Sequence, residues 1–476
     1  METLQRAANA GSVSTGYDIE NSLKLEINNN EWIYRASPTA GNKKTFTFSL
    51  WLKRPCLYHI PAGADEYLMG QGANARYHFA GDTIRFMFDG NTTELESSRK
   101  IRDPAAWYHI VLAVDTTQGT AANRVKLYIN GVQEAWNNAE YPSLNQESSW
   151  MSTNNLYIGT KYAGDGDNDL AGYIAEVVLL DGTATSPTDF GEFDSDSGIW
   201  KPIDVSGLTF GDEGFYYKFD DAASLGADSS GNSNNATLNN ITAADQALDS
   251  PTNNYCTLLS TSPSNSYYKR VTNGGTSYDS VTNAWTSCWS TIPLYSGKWY
   301  AEFKRTSAGT GGNIFVGAGG IDQNLYHYNL IYVGANGSGT TFSVGLFSVN
   351  GDFYSGTGVT GSTYAAGDIL CLAVDQDNGA IYFRKNGDAW MGDGTNAGNP
   401  ASGASRTGAQ IIDWGTATNI AISNYANNDE TQANYGGYSC MSNTRSYSDG
   451  NGYGAFVYEP PTDYLAICSK NLAETG

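Results

Sequence analysis

Three kinds of residue in this 476-residue chain could do chemistry. The first is acidic. Asp165-Gly-Asp-Asn-Asp169 sets Asp165, Asp167 and Asp169 at alternate positions of a tight loop, where carboxylates can converge on one hard cation. Calcium takes roughly six to eight oxygens, so backbone carbonyls would have to complete the shell. The competing account is a solvated acidic loop. The second kind is aromatic: Trp150, Tyr162 beside the acidic loop, the Tyr326-His327-Tyr328 turn and Trp414 all stand in loop-like contexts. A ring face there can stack on a sugar while amides and carboxylates bond to its hydroxyls, although each ring would also serve as inter-sheet or interface packing.

The third kind is catalytic, and it is thin. A glucanase strand reading Glu-x-Asp-x-x-Glu places two carboxylates on one face, about 5 Å apart for a retaining mechanism. The nearest string, Glu192-Phe-Asp194, has Ser197 where the second glutamate belongs. Only four histidines exist, in no Ser-His-Asp pattern, and His109 reads as a histidine satisfied within a sheet. Gly309-Thr-Gly-Gly312 lacks the Lys-Ser/Thr of a phosphate loop. Asp375-Gln-Asp-Asn-Gly379 looks like the acidic loop but joins two strands, so turn chemistry accounts for it. No catalytic residue is expected, and the chain reads as a non-enzyme.

The elements that must position these residues are strands. A strand-turn-strand unit is written twice, Trp107 to Asp115 running on to Val125 to Gly131, and Gly367 to Asp375 running on to Ala380 to Gly387. Leu-Ala-Val-Asp is identical in both, and each unit ends in Asn-Gly followed by Ala-Trp, at Ala135-Trp136 and Ala389-Trp390. Consecutive apolar residues in each first strand predict burial on both faces. Asn-Gly supplies positive φ, so a third strand is expected after each unit. Thr45 to Lys53 alternates strictly, with Phe46, Phe48, Leu50 and Leu52 on one face. The fold class expected is all-β: two antiparallel, jelly-roll-like β-sandwiches joined by an irregular connector, with a short N-terminal arm.

Composition narrows the partners. Forty-nine acidic against 27 basic residues give a net charge of −22, which disfavours nucleic acid and anionic membranes. No apolar run approaches the roughly 18 residues of a membrane span, and the Met1 start has no apolar signal core, so neither membrane insertion nor a cleaved export signal is expected. Six scattered cysteines have no zinc-ligand spacing and read as buried thiols.

The domain boundaries follow from patterning: an arm over residues 1–20, a first sandwich over 21–185, a connector over 186–255 rich in Asp, Gly, Ser and Asn, and a second sandwich with its tail over 256–476. Trp107-Tyr-His109, Leu127-Tyr-Ile-Asn-Gly131, Leu156-Tyr-Ile-Gly159 and Gly172-Tyr-Ile-Ala-Glu176 resemble the laminin-G-like branch of the concanavalin A-like sandwiches. Ser296-Gly-Lys-Trp-Tyr-Ala-Glu-Phe303, Ile314-Phe-Val-Gly-Ala318 and Asp388-Ala-Trp390 are similar to a SPRY domain. Asp228-Ser-Ser-Gly-Asn-Ser-Asn-Asn235, Asn42 to Arg54 and the tail from Asp449 to Leu472 resemble large virion proteins of marine tailed phages.

These resemblances imply a virion structural protein, an appendage, tail fibre or capsid decoration displaying lectin-like sandwiches on the exposed particle surface. They imply docking on other virion proteins through the arm, a homo-oligomer with a trimer favoured, and host-surface polysaccharide as ligand. They also imply calcium at the Asp165 loop. A purely architectural cementing role and a polysaccharide depolymerase are the competing readings.

Overall fold

The structure, a computed structural model, describes residues 16–57, 65–90, 94–164, 168–260, 269–280, 283, 285–307, 313–320, 343–354, 359, 361–413 and 415–475. They divide into two compact units, one of residues 16–54 and 65–253, the other of residues 55–57 and 254–475. Both are built almost wholly from antiparallel strands. The one α-helix among the described residues is the short Ser469–Thr475.

The first unit is a sandwich of two large sheets. One sheet runs Val132–Gln133, Val125–Ile129, Trp107–Asp115, Thr45–Lys53, Gly172–Asp181, Ser22–Leu25 and Gln246–Ala247 in spatial order. The other runs Trp136–Ala139, Glu94–Lys100, Thr83–Met87, Ala75–Ala80, Asp65–Gln71, Leu156–Ile158, Trp32–Arg35 and Thr237–Asn239. The alternation of Thr45–Lys53 does what its period demands: Phe46, Phe48, Leu50 and Leu52 all join the inter-sheet core. There they meet Tyr77, Phe79, Phe86 and Ile158 from the facing sheet. Full burial of each such side chain contributes about 1.5–3 kcal/mol.

Trp107–Asp115 is buried on both faces, and the reason lies beyond residue 186. Ile110, Leu112 and Val114 face the main core. Val111 points the other way, into a second apolar layer with Val178, Leu180, Phe190, Val205, Phe210 and Tyr216. The stretch expected as a connector therefore covers the outer face of the first sheet. It also adds strands: Phe215–Tyr217 pairs with Gly172–Asp181, Thr237–Asn239 with Trp32–Arg35, and Gln246–Ala247 with Ser22–Leu25. It has no separate core, as its composition implies, but lends Phe215, Tyr217, Phe219, Leu225 and Ile241 to the main one. Three buried ion pairs lock it in place: Arg35 with Glu213, Lys24 with Asp245 at 2.8 Å, and Lys53 with Asp249 at 2.6 Å.

In the second unit, one sheet runs Lys269–Thr272, Ser277–Ser280, Glu430–Asn434, Lys298–Ser307, Ile369–Asp375, Ala380–Lys385 and Gln410–Ile411. A five-stranded sheet runs Thr286–Trp289, Thr418–Asn424, Ile314–Gly320, Ser343–Phe347 and Phe353–Tyr354. Cys371 lies fully buried in its strand, and all six cysteines are unbridged thiols, five of them buried.

The two repeated hairpins use one device. Asn130 and Asn386 both adopt φ of 49°, followed by Gly131 at 78° and Gly387 at 77°. Each asparagine side chain accepts the backbone N–H of the residue opposite, His109 at 2.7 Å and Ile369 at 2.8 Å. The expected third strand follows only the first copy, where Val132–Gln133 pairs with Val125–Ile129. After Gly387 the chain folds back irregularly, with Met391 N–H donating to Phe383 O at 2.8 Å and no strand over residues 388–398. Gly131 also has a packing reason: a Cβ there would sit 2.3 Å from the Trp200 ring.

Candidate functional site

Residues 159–164 and 168–170 lie along the Asp65–Gln71 strand of the first sandwich. Gly159 N–H donates to Leu68 O at 2.8 Å, Leu170 N–H to Gly159 O at 2.8 Å, and Tyr67 N–H to Asn168 O at 2.9 Å. Gly70 permits the close approach, because a Cβ there would fall 2.2 Å from Lys161 O. This staple presents Tyr162, whose side chain is 41% exposed. Lys161 Nζ stands 4.8 Å from the Tyr162 ring centroid and 5.6 Å from that of Tyr67. Such a cation over a ring face favours the pair by about 0.5–1 kcal/mol and sets ammonium donors beside a partly exposed aromatic ring.

Behind this rim sits a small polar group. The Tyr67 hydroxyl donates to Asp65 Oδ2 at 3.3 Å, and His78 Nε2 lies 3.7 Å from Asp65 Oδ1. Burial pushes the His78 imidazole down to about 4, against the pull of Asp65 and with the help of Arg85 and Arg76. His78 is thus neutral at neutral pH. On the outer face of the same sheet Tyr34 and Tyr157 pair across strands with ring centroids 5.5 Å apart, and Trp32 joins them at 5.4 Å from Tyr157. Tyr157 is also the register partner of Gly70, so the half-buried Tyr34 and Tyr157, the buried Trp32 and Lys161 share one face. Sequence reasoning missed this extension. Its signal was present in Trp32-Ile-Tyr34 and Leu156-Tyr-Ile158, whose alternate residues point outward.

Of the three aspartates proposed for calcium, the structure describes Asp169, which is buried and bridges to Tyr67 at the foot of the rim. Asp165 and Asp167 lie outside the described residues, as do Tyr326, His327, Tyr328 and Trp414. Among the described residues no three His, Cys, Asp or Glu side chains gather where they could hold a metal ion. Carboxylate oxygen, the one donor type that Asp169 brings, is the type calcium takes.

Trp150 is a correction. Expected as an exposed stacking surface, it is fully buried between the sheets, stacked on Phe86 at 5.7 Å and edge-on to Phe48 at 5.2 Å. Its indole N–H donates to Met87 O at 2.9 Å, so burial removes the whole ring from water without orphaning its donor.

The groups that could suggest hydrolysis are otherwise engaged. Trp200 Nε1, which can only donate, bonds to His109 Nδ1 at 3.0 Å. The neutral ring therefore carries its proton on Nε2 and donates it to Ser49 Oγ at 2.9 Å, the reverse of what a general base does. Burial holds the His109 imidazole down to about 3. Glu192 pairs with Lys201 at 3.3 Å, and Asp194 caps its own turn through Ser197 N–H at 2.8 Å.

Glu176 is a buried carboxylate set in a β-bulge at φ 49°, where Gly172–Asp181 slips register against Thr45–Lys53. It accepts hydrogen bonds from the hydroxyls of Tyr216 and, at 3.0 Å, Tyr17. Burial pushes its carboxyl up to about 7, against the two tyrosine hydrogen bonds. Tyr17 belongs to the expected arm. So does Ile19, buried, with its N–H donating to Thr252 Oγ1 at 3.1 Å and its carbonyl accepting from that hydroxyl at 2.8 Å. Residues 16–20 are therefore tied to the first sandwich.

No curated protein matches the chain. Among solved structures it is similar to the SPRY domain of human HERC1, at 15% identity and a TM-score of 0.26, over 35% of this chain and 91% of that one. A putative carbohydrate binding protein from Bacteroides ovatus ATCC 8483 is 16% identical with a TM-score of 0.33, over 47% of this chain and 59% of that one. A heptameric SAP-like pentraxin from Limulus polyphemus is 14% identical with a TM-score of 0.28, over 36% and 80% of the two chains. Residues 28–188, about one third of the chain, match the family model described as the Concanavalin A-like lectin/glucanases superfamily, and they include the Tyr162 rim.

Proposed function

We propose that this protein is a carbohydrate-binding component of a tailed-phage particle, displayed on its exposed surface and attaching it to host glycans without hydrolysing them. The observation that carries the binding reading is the Tyr162 rim: an exposed ring beside the Lys161 cation, within the segment that matches the lectin and glucanase superfamily. Ring face, ammonium donors and carboxylate acceptors are the groups a pyranose needs. The engaged states of Glu192, Asp194 and His109 support binding over catalysis. Calcium held by Asp165, Asp167 and Asp169 would add a cation for sugar hydroxyls next to Tyr162. The phage assignment rests on the sequence resemblance. In that setting residues 1–15 dock on a neighbouring particle protein, and a trimer multiplies weak glycan contacts.

Purified full-length chain and its Tyr162→Ala variant, passed over immobilised bacterial surface polysaccharides with and without EDTA, test the reading. Retention that is weakened in the variant and by EDTA, with no reducing sugar released, is expected. Absence of retention leaves the architectural role, and release of reducing sugar makes the protein a depolymerase. Locating the chain in an electron-microscopy map of intact particles tests the virion assignment separately.

A further inference from the structure

The second sandwich carries an open polar cleft of about 720 Å³, within the roughly 300–1,000 Å³ of small-ligand sites. Tyr295, Asp377, Asn378, Arg406 and Asp413 line it. We propose that this cleft is a second glycan site, selective for a neutral hexopyranose unit; the choice of ligand class rests on the carbohydrate reading above, whereas the site itself does not.

Tyr295 is 62% exposed, the highest exposure of any large hydrophobic residue described, so its ring face is open for stacking. Around it the loops are fixed by their own hydrogen bonds. Gln376 N–H donates to Gly297 O at 2.9 Å, and Gly297 N–H to Asp377 Oδ1 at 2.7 Å. Gln376 Nε2 donates to Thr416 O at 3.0 Å, while its Oε1 accepts from Thr418 Oγ1 at 2.7 Å. Asn378 is held by Asp375, its side-chain amide donating at 2.8 Å. Asp413 lies against Gly379, where a Cβ would fall 1.7 Å from its Oδ1, and is ion-paired with Arg406. A cleft ordered before ligand arrives loses less entropy on binding.

The groups left to face a ligand match vicinal hydroxyls. Asp377 Oδ2 and Asn378 Oδ1 are acceptors, and the guanidinium edge of Arg406 turned away from Asp413 is a donor. Arg406 offsets one of the two aspartates, so the lining is net negative by a single charge and opposes uronic or sialic acids. A stacked ring, two acceptors and one donor suit a neutral sugar.

Saturation-transfer NMR on the full chain, with methyl glucoside, methyl galactoside, methyl mannoside, N-acetylglucosamine, glucuronate and glucosamine as probes, tests this. In the Tyr162→Ala background, which removes the rim of the first sandwich, at least one neutral probe should still bind, with affinity falling at least ten-fold when Tyr295→Ala or Asp377→Asn is added. Thermal unfolding matched to the parent shows that the variants fold. In that background, no transfer from any neutral probe, binding confined to glucuronate or glucosamine, or equal binding with and without Tyr295→Ala overturns the proposal. Loss in Tyr162→Ala alone points to the rim of the first sandwich and likewise rejects the cleft.

Discussion

Trp200 donates its indole N–H to His109 Nδ1 across 3.0 Å, joining a hairpin from the 186–253 stretch to the buried strand Trp107–Asp115. The rings lie nearly parallel at 5.9 Å, and Trp51 stacks on the imidazole at 4.6 Å. One bond thus fixes the tautomer of the histidine and pins the cover of the first sheet.

Trp200→Phe removes the donor and leaves a buried ring nitrogen unsatisfied, at a cost of about 1–3 kcal/mol in urea unfolding. The pH dependence has a definite sign. The folded-state value of His109 lies below its ordinary 6.5, so its contribution is present above that value and is lost as pH falls through about 3. His109→Phe should flatten that acid limb, and an unchanged acid limb would show that other groups set it.

Glu176 works in the opposite direction. Its folded-state value is raised from 4.5 to about 7, so its protonated form favours the fold below about pH 4.5, and that contribution drains away as pH rises through 7. Glu176→Gln should shrink the stability difference between pH 4 and pH 8 by up to about 3 kcal/mol. Identical denaturant midpoints for parent and variant across this range would sink the assignment.

Asp249 holds two buried groups at once, Lys53 Nζ at 2.6 Å and Trp107 Nε1 at 2.9 Å. Asp249→Ala removes the carboxylate partner of a buried ammonium and should cost about 3–5 kcal/mol, whereas Lys53→Met with Asp249→Leu should recover most of that loss. Equal unfolding free energies for the single and double variants would contradict it.

Calcium is checked by calorimetry. If the Asp165 loop binds it, titration gives a saturable heat, abolished by substituting Asp165, Asp167 and Asp169 with Asn. At a free concentration of a hundred times Kd the fold gains about 2.7 kcal/mol, and chelation lowers the melting temperature accordingly. A chelator without effect on melting, together with no heat, rejects the site.

What was legible in the sequence was local. Strict alternation placed Phe46, Phe48, Leu50 and Leu52 in the core, and Asn130-Gly131 announced a turn of positive φ, because both signals live within a few residues. The strands Phe215–Tyr217, Thr237–Asn239 and Gln246–Ala247 were not legible. Segments of two or three residues are too short to show a period, and their partners lie far away in the chain. Trp150 misled because Ser148, Ser149 and Ser152 around it look like loop, and only the facing sheet decides that the loop folds inward. The cleft escaped for a similar reason. Gln376 to Gly379 reads correctly as a turn, while Tyr295 and Asp413 meet it from more than a hundred residues apart.

The strand Ser22–Leu25 lies between Gly172–Asp181 and Gln246–Ala247, with Leu23 opposite Gln246. During synthesis it leaves the ribosome before both neighbours and waits for them, so the first sandwich cannot close its edge until residue 247 has been made. Until then it presents unpaired backbone groups that invite pairing with other nascent chains. An expression fragment cut at residue 188, where the family match ends, keeps that edge permanently open, whereas one cut after 253 lets the sheet finish itself.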